Sequence, residues 1–143
     1  MIKNLGIDAP VVYIEEKNEA AYQAALKKGV VHFPGTALPG ELGNVYIFGH
    51  SSDYAWADSP YRAVFALLTE IEVGDEIRIS DSKGGVFVYR VIETRVVTPK
   101  DLSVLDQRGK QKKLLTLQTS YPLGTALRRF IVLAEAIELQ PEE

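Results

Sequence analysis

Histidine can act as an acid and as a base near neutral pH, and the chain contains two of them. His50 ends an apolar run, directly after Gly49, where a loop begins. A histidine at the end of a strand can present its ring to a cleft while the strand fixes its backbone. It can equally cap the strand through a backbone carbonyl, and position alone leaves both roles open. His32 lies inside a short apolar strand, where packing and one hydrogen bond explain it.

Ser120 and Arg129 are the other two residues whose positions suit chemistry. Ser120 follows the strand-like segment 114–119 and precedes a loop that contains proline and glycine. A lone serine in such a place is ordinarily a turn former. Arg129 begins the next predicted strand and, taken alone, is typical of a solvated or ion-paired residue. Because neighbouring side chains of a strand point to opposite faces, only one of Arg128 and Arg129 can share a cleft with Ser120.

Other chemistry is weakly supported. The chain has no cysteine, which excludes disulfides, thiolate metal sites and a cysteine nucleophile. Asp53 and Asp58 lie in the loop after His50, but two carboxylates without a third ligand are a weak metal signal. Glu15, Glu16 and Glu19 are more typical of a solvated group near the positive end of a helix. We therefore expect no cofactor and no metal; calcium is conceivable but not indicated.

Size and charge narrow the class of protein. With 143 residues, the chain is expected to form one domain, residues 1–143. A net charge of −3 and a pI near 5.5 argue against nucleic acid as a partner. No apolar run is long enough for a transmembrane helix, and the first residues do not resemble a signal peptide. We expect either a cytosolic protein or a fragment without its targeting segment.

The elements that must position these residues are mostly short strands. Asn18 is a suitable N-cap for a helix over 20–28, which Gly29 would end. A helical apolar stripe covers 61–68. Seven or eight strands with two helices favour a closed barrel or a sandwich, an all-β fold. The predicted strands are 11–14, 30–33, 44–48, 76–80, 86–97, 114–119 and 130–139.

Several segments form an ordered pattern over nearly the whole chain. They are LGIDAPVV (5–12), GVVHFPGT (29–36), PG (39–40), GNVYIFGHS (43–51), FALL (65–68), VGDEI (73–77), LTLQTSYPLGT (115–125) and RFIV (129–132). In this order they resemble the sortases, the cysteine transpeptidases of bacterial surfaces.

The resemblance implies a fold and a set of site residues. The implied fold is the closed eight-stranded sortase barrel with two or three short helices. His50 is implied as the catalytic histidine and Arg129 as the catalytic arginine, with Ser120 in the place of the nucleophile. From their places beside the motifs, Leu38, Leu117, Thr119 and Tyr121 are expected to contact the substrate, although ordinary packing explains the leucines and the tyrosine equally well.

One position departs from the family pattern. The sortase segment TLxTC ends in the nucleophilic cysteine, whereas this chain reads TLQTS and ends in Ser120. Either a cysteine was replaced on purpose, or this is a natural variant with lost or changed activity. The missing membrane anchor favours replacement in a shortened form. A serine hydroxyl is far harder to ionise than a thiol, so we expect substrate binding with very slow acylation.

The implied mechanism defines the partners. The nucleophile attacks the carbonyl after the threonine of an LPxTG-like sorting signal, and an amine of a cell-wall precursor or another surface protein resolves the acyl enzyme. The implied location is the outer face of the bacterial membrane, held by an N-terminal anchor. The sortase class, the exact signal, the acceptor and the oligomeric state stay open. Two alternatives remain: a natural pseudo-sortase that binds peptide or cell wall, and a serine hydrolase using Ser120 and His50.

Overall fold

Seven strands form one curled sheet in the computed structural model, which describes residues 1–2, 5–50, 64–80, 85–100, 112–121 and 127–137. The predicted all-β class is therefore confirmed. The elements are β1 (Val11–Tyr13), α1 (Glu19–Leu26), β2 (Val30–His32), β3 (Gly43–Phe48), a 3₁₀ turn (Leu68–Glu70), β4 (Glu76–Ser80), β5 (Val86–Val97), β6 (Lys113–Tyr121) and β7 (Arg128–Ala136).

The strand order of the sheet is β1-β2-β3-β6-β7-β5-β4. The pairs β1/β2 and β3/β6 are parallel, and the remaining pairs are antiparallel. In the centre of the sheet, β6 therefore lies between β3 and β7. The ends of these three strands carry the residues that the sequence singled out.

The expected count of eight strands in a closed barrel is corrected to an open sheet of seven within the described ranges, with β1 and β4 at its edges. A barrel closes only when its two edge strands pair. Here the N-terminal segment lies between those edges instead. The backbone of Met1 exchanges hydrogen bonds with Arg78 of β4, and Ile2 forms a bridge with Ile7, just before β1.

Helix α1 forms where the sequence predicted it. Its N-cap is Asn18, whose side-chain oxygen accepts a hydrogen bond from the backbone N–H of Ala21 at 2.8 Å. Leu26 packs with Val31 of β2 and against Phe48 of β3, in a small cluster separate from the main core. The helix thereby covers the outer face of β2 and β3. Strand β3 is consequently buried along nearly its whole length, as its apolar run predicted.

The helix expected over 61–68 is corrected. Residues 61–63 lie outside the described ranges, and the chain from Val64 onward forms turns followed by the 3₁₀ turn. Phe65 and Leu68 are buried, so the apolar stripe was correctly recognised. Its backbone hydrogen bonds nevertheless join residues three apart, as between the N–H of Leu68 and the carbonyl of Phe65. This spacing is that of a 3₁₀ turn, and an apolar stripe alone does not distinguish the two.

The main core fills the inner face of the sheet. Alternate residues of the central strands point inward, which leaves the other face of β3, β6 and β7 for α1 and the candidate site. The fully or nearly fully buried members from these strands and β5 are Val45, Ile47, Leu115, Leu117, Val132, Ala134, Tyr89 and Val91.

Candidate active site

The pairing of β6 with β7 places Ser120 opposite Arg129. These two residues are direct partners in the antiparallel register, and directly opposed residues project from the same face of a sheet. Arg128 pairs instead with Tyr121 and is exposed. The alternation rule had left Arg128 and Arg129 undecided, and the register selects Arg129 as the partner of Ser120.

His50 is held beside the same strand ends by parallel pairing. Phe48 of β3 pairs with Gln118 of β6. His50 lies two residues after Phe48, and Ser120 lies two residues after Gln118, so both follow the same point of the parallel pair. The backbone N–H of Gly49 donates to the carbonyl of Gln118 at 3.1 Å. The hydroxyl of Thr119, which is buried, donates to the carbonyl of Gly49 at 2.9 Å. Two hydrogen bonds thus fix the residue before His50 against β6.

Gly49 is itself required by close packing. A Cβ atom at this position would lie 2.8 Å from the ring of Phe65 and 2.9 Å from Cγ1 of Val30. No ordinary Cβ contact is so short, so a larger residue would displace the backbone that leads into His50. The glycine therefore serves the placement of the histidine.

His50, Ser120 and Arg129 line one cleft of about 350 Å³. All three side chains are partly exposed, as groups that meet a substrate must be. An imidazole, a hydroxyl and a guanidinium around one cavity can supply a proton carrier, a nucleophile and an anion stabiliser. The described residues around them are Glu19, Tyr22, Gln23, Leu26, Phe33, Tyr46, Phe48, Gly49, Pro99, Gln118 and Thr119.

Helix α1 supplies one wall of the cleft. Glu19, Tyr22, Gln23 and Leu26 recur at the spacing of one helical face, and all four line the cavity. The side-chain amide of Gln23 donates to the carboxylate of Glu19 at 2.7 Å. Sequence reasoning assigned Glu19 to the helix dipole and missed this wall. The spacing was visible in the sequence, but the strand that the helix covers was not.

Four aromatic rings, those of Tyr22, Phe33, Tyr46 and Phe48, line part of the cleft. The ring centroids of Tyr22 and Phe48 lie 5.5 Å apart in an edge-to-face arrangement, and those of Phe33 and Tyr46 lie 6.0 Å apart. Edge-to-face packing stabilises such rings in fixed positions. The cleft therefore combines polar groups, His50, Ser120 and Arg129 among them, with a packed set of aromatic rings.

The four residues expected to contact substrate have different positions. Thr119 lines the cleft. Leu117 is buried in the core, and Tyr121 packs on Phe130 with ring centroids 6.0 Å apart, on the strand face opposite to Gln118 and Ser120. Leu38 is exposed in the loop between β2 and β3. Leu38, Leu117 and Tyr121 are not among the described residues that line this cleft.

The remaining polar candidates are structural or undescribed. His32 is buried, its Nε2 lies 2.8 Å from the carbonyl oxygen of Ala37 and 3.1 Å from the hydroxyl of Thr36, and this agrees with the structural role that we expected. Asp53 and Asp58 lie outside the described ranges. In the described part of the chain, no group of three or more His, Cys, Asp or Glu residues could hold a metal ion. No helix there combines the length and apolar character that a membrane crossing needs.

Comparison with known proteins gives one consistent result. The family model of the sortase domain matches residues 1–137. Sortase D of Bacillus subtilis (strain 168) is 30% identical over 115 residues, which are 78% of this chain and 52% of that protein. The chain thus spans about half the length of this curated relative.

Solved structures agree in fold. A sortase D5 transpeptidase of Clostridium perfringens has 30% identity and a TM-score of 0.78, and the match covers 96% of this chain and 76% of the other. Sortase A of Corynebacterium diphtheriae has 28% identity and a TM-score of 0.79, with 99% and 60% coverage.

Proposed function

The chain belongs to the sortase family, whose members are transpeptidases, and on this premise we propose that it binds a sorting-signal peptide and is built to transfer it to an amine. One observation carries the proposal: His50, Ser120 and Arg129, from three separate strand ends, line a single cleft. A concave site in which polar groups converge beside aromatic and apolar side chains is the usual form of a ligand site.

The proposed roles follow from the chemistry of each group. The residue at position 120 attacks the carbonyl after the threonine of an LPxTG-like signal and forms an acyl enzyme. His50 takes the proton of the attacking group and gives it to the leaving amine; later it takes a proton from the incoming amine and returns it to the group at position 120. The guanidinium of Arg129, directly opposite Ser120, stabilises the negative charge on the carbonyl oxygen. No step in this sequence requires a cofactor, and we propose none.

Ser120 limits the rate of the first step. A thiol near a cationic group ionises close to neutral pH, whereas a serine hydroxyl needs a strong and well-oriented base. Arg129 favours an anion but removes no proton at neutral pH. The chain is therefore expected to bind the peptide and to acylate very slowly.

The test is the substitution Ser120→Cys. We expect it to raise the rate of cleavage of a sorting-signal peptide by at least two orders of magnitude. It should also allow transfer to an added amine, with both products identified by mass spectrometry. His50→Gln and Arg129→Lys, each made in the Ser120→Cys protein, should abolish or sharply reduce this gain. A folded Ser120→Cys protein that cleaves no faster than the parent chain contradicts the proposal.

The serine itself favours a second candidate function, that of a module which binds peptide or cell wall without turnover. In that case Ser120→Cys would leave peptide affinity intact and create no activity. A serine hydrolase would instead be labelled at Ser120 by a fluorophosphonate. His50 and Arg129 both remain in the cleft, which favours the transferase.

Partners and location follow from the same proposal. Members of the family are generally associated with the cell surface. We propose that this chain acts there on surface proteins, with an amine of a cell-wall precursor or of another surface protein as acceptor. Attachment to the membrane through an N-terminal anchor of the whole protein is part of this proposal.

A further inference from the structure

Two polar side chains occupy the floor of the cleft beyond the catalytic residues. Tyr46 of β3 and Gln118 of β6 both line the cavity, on the same strand faces as His50 and Ser120. The hydroxyl of Tyr46 donates a hydrogen bond to Oε1 of Gln118. The catalytic roles proposed above use neither residue.

This hydrogen bond decides what Gln118 offers to a ligand. An amide has one acceptor oxygen and two N–H donors, and here the oxygen is already engaged by Tyr46. Nε2 of Gln118 has no acceptor among the described residues. The rings of Phe33 and Phe48 stand beside Tyr46 in the same cleft. In such surroundings a hydrogen bond is stronger than in water, and Nε2 of the half-buried Gln118 is open to the cleft, where a ligand can accept from it.

We propose that Gln118, held by Tyr46, determines specificity by donating a hydrogen bond to an oxygen atom in a side chain of the donor peptide. The inference rests on the proposed function. Gln118 precedes Ser120 by two residues on one strand face, about 7 Å along β6. The inference places the extended peptide parallel to β6 with nearly the same rise, so that the residue one or two positions before its reacting carbonyl reaches Gln118. In an LPxTG-like signal these are the variable residue and proline, and proline has no side-chain acceptor.

The expected selectivity is therefore for a variable residue that carries an amide or hydroxyl oxygen. The chain as it stands is suited to the measurement, because slow acylation allows equilibrium binding. Two fluorescent peptides would differ only in this residue, Asn in one and Leu in the other, which have similar shapes. Fluorescence anisotropy should show about tenfold tighter binding of the Asn peptide, since loss of one hydrogen bond to a committed donor has an effect of this order.

The sharpest variant is Gln118→Glu. It keeps an oxygen for the Tyr46 hydroxyl and nearly the same shape, but it removes both N–H donors. The Asn/Leu ratio should fall to about one or below, while thermal unfolding shows an intact fold. Gln118→Leu removes the whole amide and should lower the Asn/Leu affinity ratio to the same extent. Tyr46→Phe frees the amide to rotate, and its ratio should lie between those of the parent and Gln118→Glu.

The outcomes separate the inference from the proposed function. Equal binding of the two peptides, well above that of a scrambled peptide, overturns the inference and leaves the function standing. An unchanged ratio in folded Gln118→Glu protein does the same, as does an equal loss of affinity for both peptides. Binding of neither peptide above the scrambled control overturns both proposals.

Discussion

The hydroxyl of Thr119 offers a direct test of how His50 is positioned. This side chain is 2% exposed and donates to the carbonyl of Gly49 at 2.9 Å, the residue immediately before His50. Thr119→Val keeps the shape of the side chain and removes the donor. The carbonyl then loses this partner in a buried position, and the backbone leading into His50 loses one of its two attachments to β6.

The expected loss of stability can be worked out. Leaving a buried carbonyl without its donor lowers the free energy of unfolding by about 1–3 kcal/mol. An unfolding entropy of about 2.1 cal/mol/K per residue gives about 0.3 kcal/mol/K for 143 residues. The melting temperature should therefore fall by about 3–10 °C. In the Ser120→Cys protein, misplacement of His50 should in addition lower kcat about tenfold to a hundredfold.

Thr116→Val is the matched control. Thr116 lies in the same strand, is also buried, and donates to Oδ1 of Asn44 at 2.7 Å; neither residue is among the described residues that line the cleft. The melting temperature of Thr116→Val should fall by a similar amount. In the Ser120→Cys protein its kcat should be unchanged when it is measured well below the melting temperatures of both variants. Equal kcat losses for the two variants, or a melting temperature within about 1 °C of the parent for Thr119→Val, would refute the positioning argument.

Three further perturbations test other parts of the fold. Gly49→Ala places a methyl group against Phe65, so the melting temperature should fall by about 3–10 °C in a calorimetric scan, and no loss would contradict the packing. Burial raises the pKa of Tyr89 above its ordinary value, although a hydrogen bond from Gly40 partly opposes this. The neutral Tyr89 side chain therefore contributes fully to the free energy of unfolding below about pH 10, and this contribution is lost as pH rises through the raised pKa. Tyr89→Phe should make the fall of melting temperature at alkaline pH less steep. A melting temperature that depends on pH in the same way as in the parent chain would contradict this. Asn18→Ala removes the N-cap of α1 and should lower the melting temperature by about 3 °C, unlike Lys28→Ala beyond the helix.

Local sequence patterns were sufficient to predict most of the helices and strands. The limits of β4 and β5 agree with the predicted ones, and α1 begins after the predicted cap, because alternation and capping depend on neighbours in the sequence. The turn at 64–70 was predicted less well, since a buried stripe is compatible with an α-helix and with a 3₁₀ turn. Closure was overestimated, because the pairing of edge strands depends on how the N-terminal segment lies.

The sequence predicted which residues belong to the candidate site, but not how they lie relative to one another. Order along the chain identified His50, Ser120 and Arg129 through resemblance, but their common cleft depends on the registers of β6 with β3 and β7. No local pattern contains those registers. The same limit explains Gln118, which is one unremarked letter of the motif in the sequence and lies on the cleft floor in the fold.

The contacts that bring the candidate site together join residues at very different separations along the chain. Ser120 and Arg129 belong to neighbouring strands, so their meeting closes a short loop, whereas Thr119 and Gly49 are 70 positions apart. Long loops close later and more slowly during folding than short ones. We therefore expect the arginine and the residue at position 120 to come together early, with the histidine arriving in a later step. Peptide affinity during refolding would then appear only with this later step, because residues of β3 line the cleft together with those of β6 and β7.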